Sequence, residues 1–155
     1  MRAPIADVVM IALLQRVTQA SVEVDGATVG AIGAGLLALV GVQPHDGEAQ
    51  AQRLLERMLG YRMFADAHGR MNRSLADTGG GLLLVSQFTL AADTRSGMRA
   101  GFSTAAEPAA AQPWFERLVE LARQRHAGVE IGRFGAHMQV RLVNDGPVTF
   151  WLEAR

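Results

Sequence analysis

The sequence contains no cysteine and no lysine. The first absence excludes a disulfide framework, a thiolate nucleophile and thiolate metal ligands, and it is compatible with a reducing compartment. The second places every basic charge on arginine, whose planar fork suits bidentate phosphate contacts, although a GC-rich coding bias gives the same composition. A surplus of either charge sign is also missing: 15 basic and 15 acidic residues leave a formal net charge of zero. No global positive field is therefore available to draw in long stretches of nucleic acid, and an RNA partner would have to be gripped locally. There is no run of apolar residues long enough to cross a membrane. The four histidines, His45, His68, His126 and His137, are dispersed without metal-ligand spacing. Nor is there a Gly-rich dinucleotide turn, a phosphate-binding P-loop or a G-x-S-x-G elbow around Ser86 or Ser96. No cofactor and no metal is expected.

What is present fits one domain. At 155 residues with 49% hydrophobic and 19% charged content, the chain is long enough to bury a core. The first nine residues, "MRAPIADVV", resemble neither a secretory signal nor a membrane span. They read as an N-terminal extension (1–9), with the folded domain over 10–155 and a cytoplasmic location. "MIALLQRVTQASVEVDGATVG" reads as two strands broken near Thr18, with Asp25-Gly26 as a hairpin turn. The continuous apolar runs 35–42 and 82–90 read as strands buried on both faces. Asp46 is placed to cap a helix running to about Gly60, with Leu54, Leu55, Met58 and Leu59 on one stripe. A second helix is expected after Pro108 or Pro113, with Phe115, Leu118, Val119 and Ala122 inward. "YRMF" reads as a short strand, "MNRSLADTGGG" as a loop, and the polar segment after residue 90 as a long candidate functional loop. "HMQVRLVN" and "PVTFWLEA" read as two closing strands. The expected class is α+β: a curved mixed or antiparallel sheet, barrel-like, with two main helices packed on one side.

Two stretches carry unusual chemistry. "SQFTL" ends an apolar strand by placing Ser86, Gln87 and Thr89 among Val85, Phe88 and Leu90. Polar side chains and backbone N–H groups at a sheet end can polarise a substrate carbonyl; equally, these residues can be edge hydroxyls and a structural amide. "VNDGPVTF" sets Gly146-Pro147 inside apparent strand, where proline cannot supply the ladder N–H.

Together with "QRVTQASVEVDG", "IGAGLLALVGV", "RLLERMLGYRMFADAHGRMN" and "GRFGAHMQV", these two motifs resemble the D-aminoacyl-tRNA deacylase family, of the bacterial D-tyrosyl-tRNA deacylase type, from Met10 to the C-terminus. The resemblance implies a homodimer that hydrolyses the ester joining a D-amino acid to tRNA, with active sites at the subunit interface. It further implies that Gly146-Pro147 is a cis peptide entering the partner's site, which suits proline, where cis costs only about 0.5–1 kcal/mol. Such a rigid backbone obstacle would reject L-amino acids without reading the side chain, and would admit glycine, including glycyl-tRNA mischarged on tRNA for alanine.

The resemblance gives Thr89 as the residue once favoured as nucleophile and Gln87 as a carbonyl-polarising group. No base is assignable to Thr89. The preferred account leaves the chemistry to the substrate's 2′-hydroxyl and to backbone N–H groups near Phe88 and Thr89, with Ser86 beside them. Arg16 matches a family position that fixes carbonyl orientations next to the Gly-Pro pair; Asn144 would hydrogen-bond the turn, and Phe134 and Met138 would line the pocket or the core. This chain has Ala100 and Gly101 where relatives commonly carry proline and serine, which suggests a more mobile 93–102 loop and puts its terminal-nucleotide contacts, Arg95 and Arg99 among the candidates, in doubt. The partners expected are the aminoacyl-tRNA acceptor end and a second copy, with neither DNA nor membrane. The rival readings are a binding module for an RNA end or aminoacyl ligand without turnover, and a purely structural dimer.

Overall fold

The computed structural model describes residues 9–155, so the expected extension lies outside the described residues except for Val9. The frame is one mixed six-stranded sheet built around the long strand β1 (Met10–Val24). Along one edge, the first half of β1 pairs antiparallel with β3 (Gly35–Gly41) and the second half with β2 (Ala27–Ile32). Along the other edge it pairs antiparallel with β8 (Gln139–Ala154) over nearly its whole length. Beyond β3 the sheet continues in parallel through β6 (Gly81–Ser86) to β7 (Val129–Ile131). The backbone N–H of Ala31 in β2 reaches Glu130 in β7 at 3.4 Å, so the two ends of the sheet approach each other and the barrel nearly closes.

The apolar runs behave as their composition requires. Leu36, Leu37, Ala38 and Val40 of β3, and Leu82, Leu83, Leu84 and Val85 of β6, are all buried. Two main helices cover one side of the sheet. In α1 (Glu48–Gly60) the stripe Leu54, Leu55, Met58 and Leu59 is buried, and in α3 (Pro108–Arg125) so are Phe115, Leu118, Val119 and Ala122. The helices are tied to each other by Arg117, whose guanidinium holds the Glu48 carboxylate through Nε at 3.0 Å and Nη2 at 2.7 Å. That fork depresses the Glu48 pKa.

Several local expectations are corrected. The β1 segment is a single strand and does not break at Thr18; polar Thr18 and Gln19 simply lie on its exposed stretch. The two closing strands are likewise one, because β8 runs through Gly146-Pro147 by way of a wide bulge. Pairing passes from Gln15↔Thr149 to Val17↔Asn144, so Arg16 alone stands opposite Asp145, Gly146, Pro147 and Val148. The missing proline N–H costs nothing to the ladder, since those residues have left it.

Asp46 does not cap α1; Gly47 does. The Asp46 carboxylate instead closes its own turn, Oδ2 accepting from Gln43 N at 2.7 Å. The 71–81 segment read as loop begins with a three-residue strand and contains a short helix, α2 (Leu75–Thr78), started by a reciprocal cap. Ser74 Oγ accepts from Asp77 N at 3.1 Å, and Asp77 Oδ2 accepts from Ser74 N at 2.8 Å. Between α1 and α2, β4 (Phe64–Ala65) and β5 (Met71–Arg73) form a small separate hairpin. Finally, β6 stops at Ser86, and the rest of the 82–90 run is a 3-10 turn over Phe88–Ala91.

Candidate active site

The parallel pair β3 and β6 delivers the first group of residues. Gln87 N donates to Val40 O at 2.7 Å, the last rung of that pairing, and the chain then coils into the 3-10 turn. Gly41 allows the turn to close on β3: a Cβ there would lie 3.1 Å from Leu90 Cβ and 3.3 Å from Gln87 O. Within the turn, the first N–H bonded to a carbonyl is that of Leu90, to Gln87 O at 3.3 Å. The N–H groups of Phe88 and Thr89 stand ahead of it, as the open donors that begin a helical turn. The Gln87 side-chain amide donates to Thr89 Oγ1.

Ser86, Gln87 and Phe88 open onto a cleft of about 640 Å³. Val40, Val42, Val85 and Ala111 supply apolar wall, and Phe134, Met138 and His137 enter from the segment between β7 and β8. The structure thus brings Ser86, Gln87, Phe88, Phe134 and Met138 to one cavity, whereas Thr89 does not line it: it is exposed next to it in the chain and bonded to Gln87. Phe102, Ala105 and Ala106, from the far end of the long polar loop, complete the wall. These three were not singled out from the sequence; a lone aromatic at position 102, within an otherwise polar stretch, was the available signal.

Arg16, Asn144, Gly146 and Pro147 form a second, separate group in the β8 bulge. Arg16 is largely buried between two backbone carbonyls: Nε donates to Asp145 O at 3.1 Å and Nη1 to Met63 O at 3.0 Å. Its Nε also lies 3.5 Å from Asp145 Oδ2. Asn144 braces the other side, accepting from Val148 N at 3.2 Å and donating to Thr149 Oγ1 at 2.9 Å. Between these braces the Gly146-Pro147 peptide is cis, and both residues are exposed. Gly146 has φ +131°, and a Cβ on it would meet Val148 Cγ2 at 2.7 Å and Arg16 Nη2 at 3.2 Å, so only glycine fits.

Elsewhere, burial raises the Asp46 carboxyl to a pKa of about 6; its Oδ1 is enclosed without a hydrogen-bond partner among the described residues. In the long loop, Arg95 is bound in a bidentate pair to Asp93, through Nε and Nη2 both at 2.9 Å, which pulls the Asp93 pKa down to about 2. Among the described residues, no three histidine, aspartate or glutamate side chains gather to hold a metal, and no helix is long and apolar enough to cross a membrane.

Comparison with known proteins identifies the family. The family model described as D-Tyr-tRNA(Tyr) deacylase matches residues 13–153. A D-aminoacyl-tRNA deacylase of Thioalkalivibrio sulfidiphilus is 70% identical over 144 residues, covering 93% of this chain and 97% of that protein. One of Stenotrophomonas maltophilia is 69% identical over 92% of this chain and 99% of its own length. Among solved structures, one described as a c-Myc DNA unwinding element binding protein superimposes with a TM-score of 0.90 at 35% identity, over 94% of this chain and 99% of that one. A probable eukaryotic D-amino acid tRNA deacylase shares the fold at a TM-score of 0.74 and 18% identity, again over 94% and 99%. With a family model spanning nearly all of its described length and full-length relatives at such identity, the chain belongs to the D-Tyr-tRNA(Tyr) deacylase family.

Proposed function

We propose that this chain is a hydrolase that cleaves the ester between a D-amino acid and the 3′ end of tRNA, acting in the cytoplasm as a homodimer. The observation that carries the reading is the corner that ends β6: Ser86, Gln87 and Phe88 line a largely apolar cleft, and the Phe88 and Thr89 N–H groups beside it are the open donors that begin the 3-10 turn. Ester hydrolysis develops negative charge on the carbonyl oxygen, and fixed N–H donors in a cleft with little water stabilise that charge without reorganising. The Phe88 and Thr89 N–H groups are the donors in this scheme, and Gln87 and Ser86 flank them.

Thr89 supports this division of labour. Its hydroxyl is paired with the Gln87 amide, which donates and cannot remove a proton, so nothing at hand would activate it as a nucleophile. The ribose 2′-hydroxyl adjacent to the ester is the alternative source of assistance. Water completes the reaction, releasing the free D-amino acid and tRNA.

Stereochemical choice falls to Gly146-Pro147. The pair is exposed and braced by Arg16 and Asn144, with its φ open only to glycine. In the proposed dimer it enters the partner's cleft and occupies the space an L side chain would need. A backbone obstacle of this kind ignores side-chain identity, so glycyl esters fit as well as D esters. Phe134 and Met138 would line the pocket that receives the aminoacyl end.

Single-turnover deacylation of matched D-tyrosyl-tRNA and L-tyrosyl-tRNA, with and without EDTA, tests this reading. Rapid loss of only the D ester, insensitive to EDTA, is expected. A folded protein that hydrolyses neither ester would favour a binding module of the same fold; equal hydrolysis of both would overturn the stereochemical role.

A further inference from the structure

Phe88 and Phe102 are the exposed aromatic rings at the mouth of the cleft. They are 59% and 50% exposed, and their centroids lie 5.4 Å apart at 48°. Leaving two phenyl rings this open to water is unfavourable unless something covers them. Phe102 is also held in place. The Asp93 and Gly101 backbones bridge at 2.7 and 2.9 Å just before it, and Thr104 Oγ1 donates to Ala91 O at 2.6 Å just after it. The ring is therefore anchored to the end of the same 3-10 turn that carries Phe88.

The loop leading to Phe102 contains two arginines with different fates. Arg95 is consumed by Asp93, whereas Arg99 is exposed and has no hydrogen-bond or ion-pair partner among the described residues. An open aromatic surface with a free guanidinium three residues before it in the same loop matches single-stranded nucleic acid, in which a base face stacks while the adjacent phosphate is neutralised.

We propose that Phe102, with Phe88, forms a stacking platform for the penultimate base of the RNA 3′ end, and that Arg99 contacts the phosphate linking that nucleotide to its neighbour. This rests on the deacylase reading above and adds to it a positioning residue outside the catalytic corner. The platform makes the enzyme sense one nucleotide beyond the aminoacylated adenosine, so it acts on binding of longer substrates and leaves the chemical step alone.

The test compares three esters of D-tyrosine: on adenosine, on the dinucleotide cytidylyl-adenosine, and on intact tRNA. For Phe102→Ala, kcat/KM is expected to fall about ten-fold further on the dinucleotide and tRNA esters than on the adenosine ester, through KM. Phe102→Tyr should restore the difference. Arg99→Gln should flatten the slope of log kcat/KM against log salt by about 0.7 on tRNA. Equal loss on all three esters, no loss on any, or conversion of the Phe102→Ala protein to monomers would each overturn the platform. Inactivity of the wild-type chain on all three overturns the deacylase reading and the platform with it, whereas wild-type activity with an unaltered Phe102→Ala ratio overturns the platform alone.

Discussion

The cleft corner at Ser86 to Thr89 and the bulge at Gly146-Pro147 are built in opposite ways. The corner ends a parallel strand buried on both faces and is concave, and its shape comes from the core behind it. The bulge lies on a strand that pairs only with β1, it projects outward, and its shape comes from side chains: one arginine opposite four residues, and one asparagine across the neck. A concave site with open donors and a convex probe with nothing to touch are each half of a device. Their separation within one chain is what makes a two-copy active site the economical reading, and substitutions can probe each half independently.

The largest effect is expected at the bulge. Gly146→Ala places a methyl group 2.7 Å from Val148 Cγ2 and 3.2 Å from Arg16 Nη2, in a backbone conformation that alanine avoids. The projection must move, and the ratio of D to L ester hydrolysis should narrow about a hundred-fold, as expected for a positioning geometry misplaced by an ångström. Circular dichroism should show the fold retained, because the affected residues lie outside the ladder.

Arg16→Gln comes next. It removes a charge-assisted brace on the carbonyls of Asp145 and Met63, and the ratio of D to L ester hydrolysis should narrow about ten-fold. The loss should be greater in this ratio than in the D rate itself, which would separate a role in rejecting L esters from a role in turnover.

A substitution remote from both regions should affect stability alone. Burial raises Asp46 in the folded state, so the fold prefers its protonated form. That preference is fully present below about pH 4 and is lost as pH rises through about 6. Asp46→Asn keeps an oxygen for Gln43 N, and it should raise the unfolding free energy at pH 7.5 by on the order of 1 kcal/mol. The gain should vanish at pH 4; urea melts at the two pH values would measure it.

The smallest effect is expected at the corner's most obvious side chain. Thr89→Ala and Thr89→Val should both retain single-turnover rates within about three-fold, because backbone donors survive either change. A loss of a thousand-fold in both would return the hydroxyl to the centre of the chemistry.

The two regions also differed in how far they could be read from sequence. Buried strands and amphipathic stripes were legible because a core imposes its pattern: every inward residue expected in α1 and α3 is buried, as are the centres of β3 and β6. The continuity of β8 was not legible. A proline within a strand argues for a break, and only the pairing with β1 reveals that four residues leave the ladder and return to it in register. Likewise the end of β6 at Ser86 was hidden, since Phe88 and Leu90 continue the apolar alternation while the chain has already turned. Asp46 looked like a cap because its type and position fit, yet burial and the Gln43 amide gave it another partner. The reciprocal Ser74 and Asp77 cap was present in the letters but obscured by the glycines that follow.

The account depends most on the bulge of one copy meeting the cleft of another, and the absence of cysteine makes that directly measurable. Single cysteines would be introduced at Asp145 in one preparation and at Phe88 in a second, the two mixed to exchange subunits, and a short bis-maleimide added. The account predicts a two-chain product from the mixture, in greater yield than from either preparation alone, blocked by a bound D-aminoacyl adenosine analogue. A mixture that yields no more two-chain product than either preparation alone, from a protein that has exchanged subunits, would contradict it.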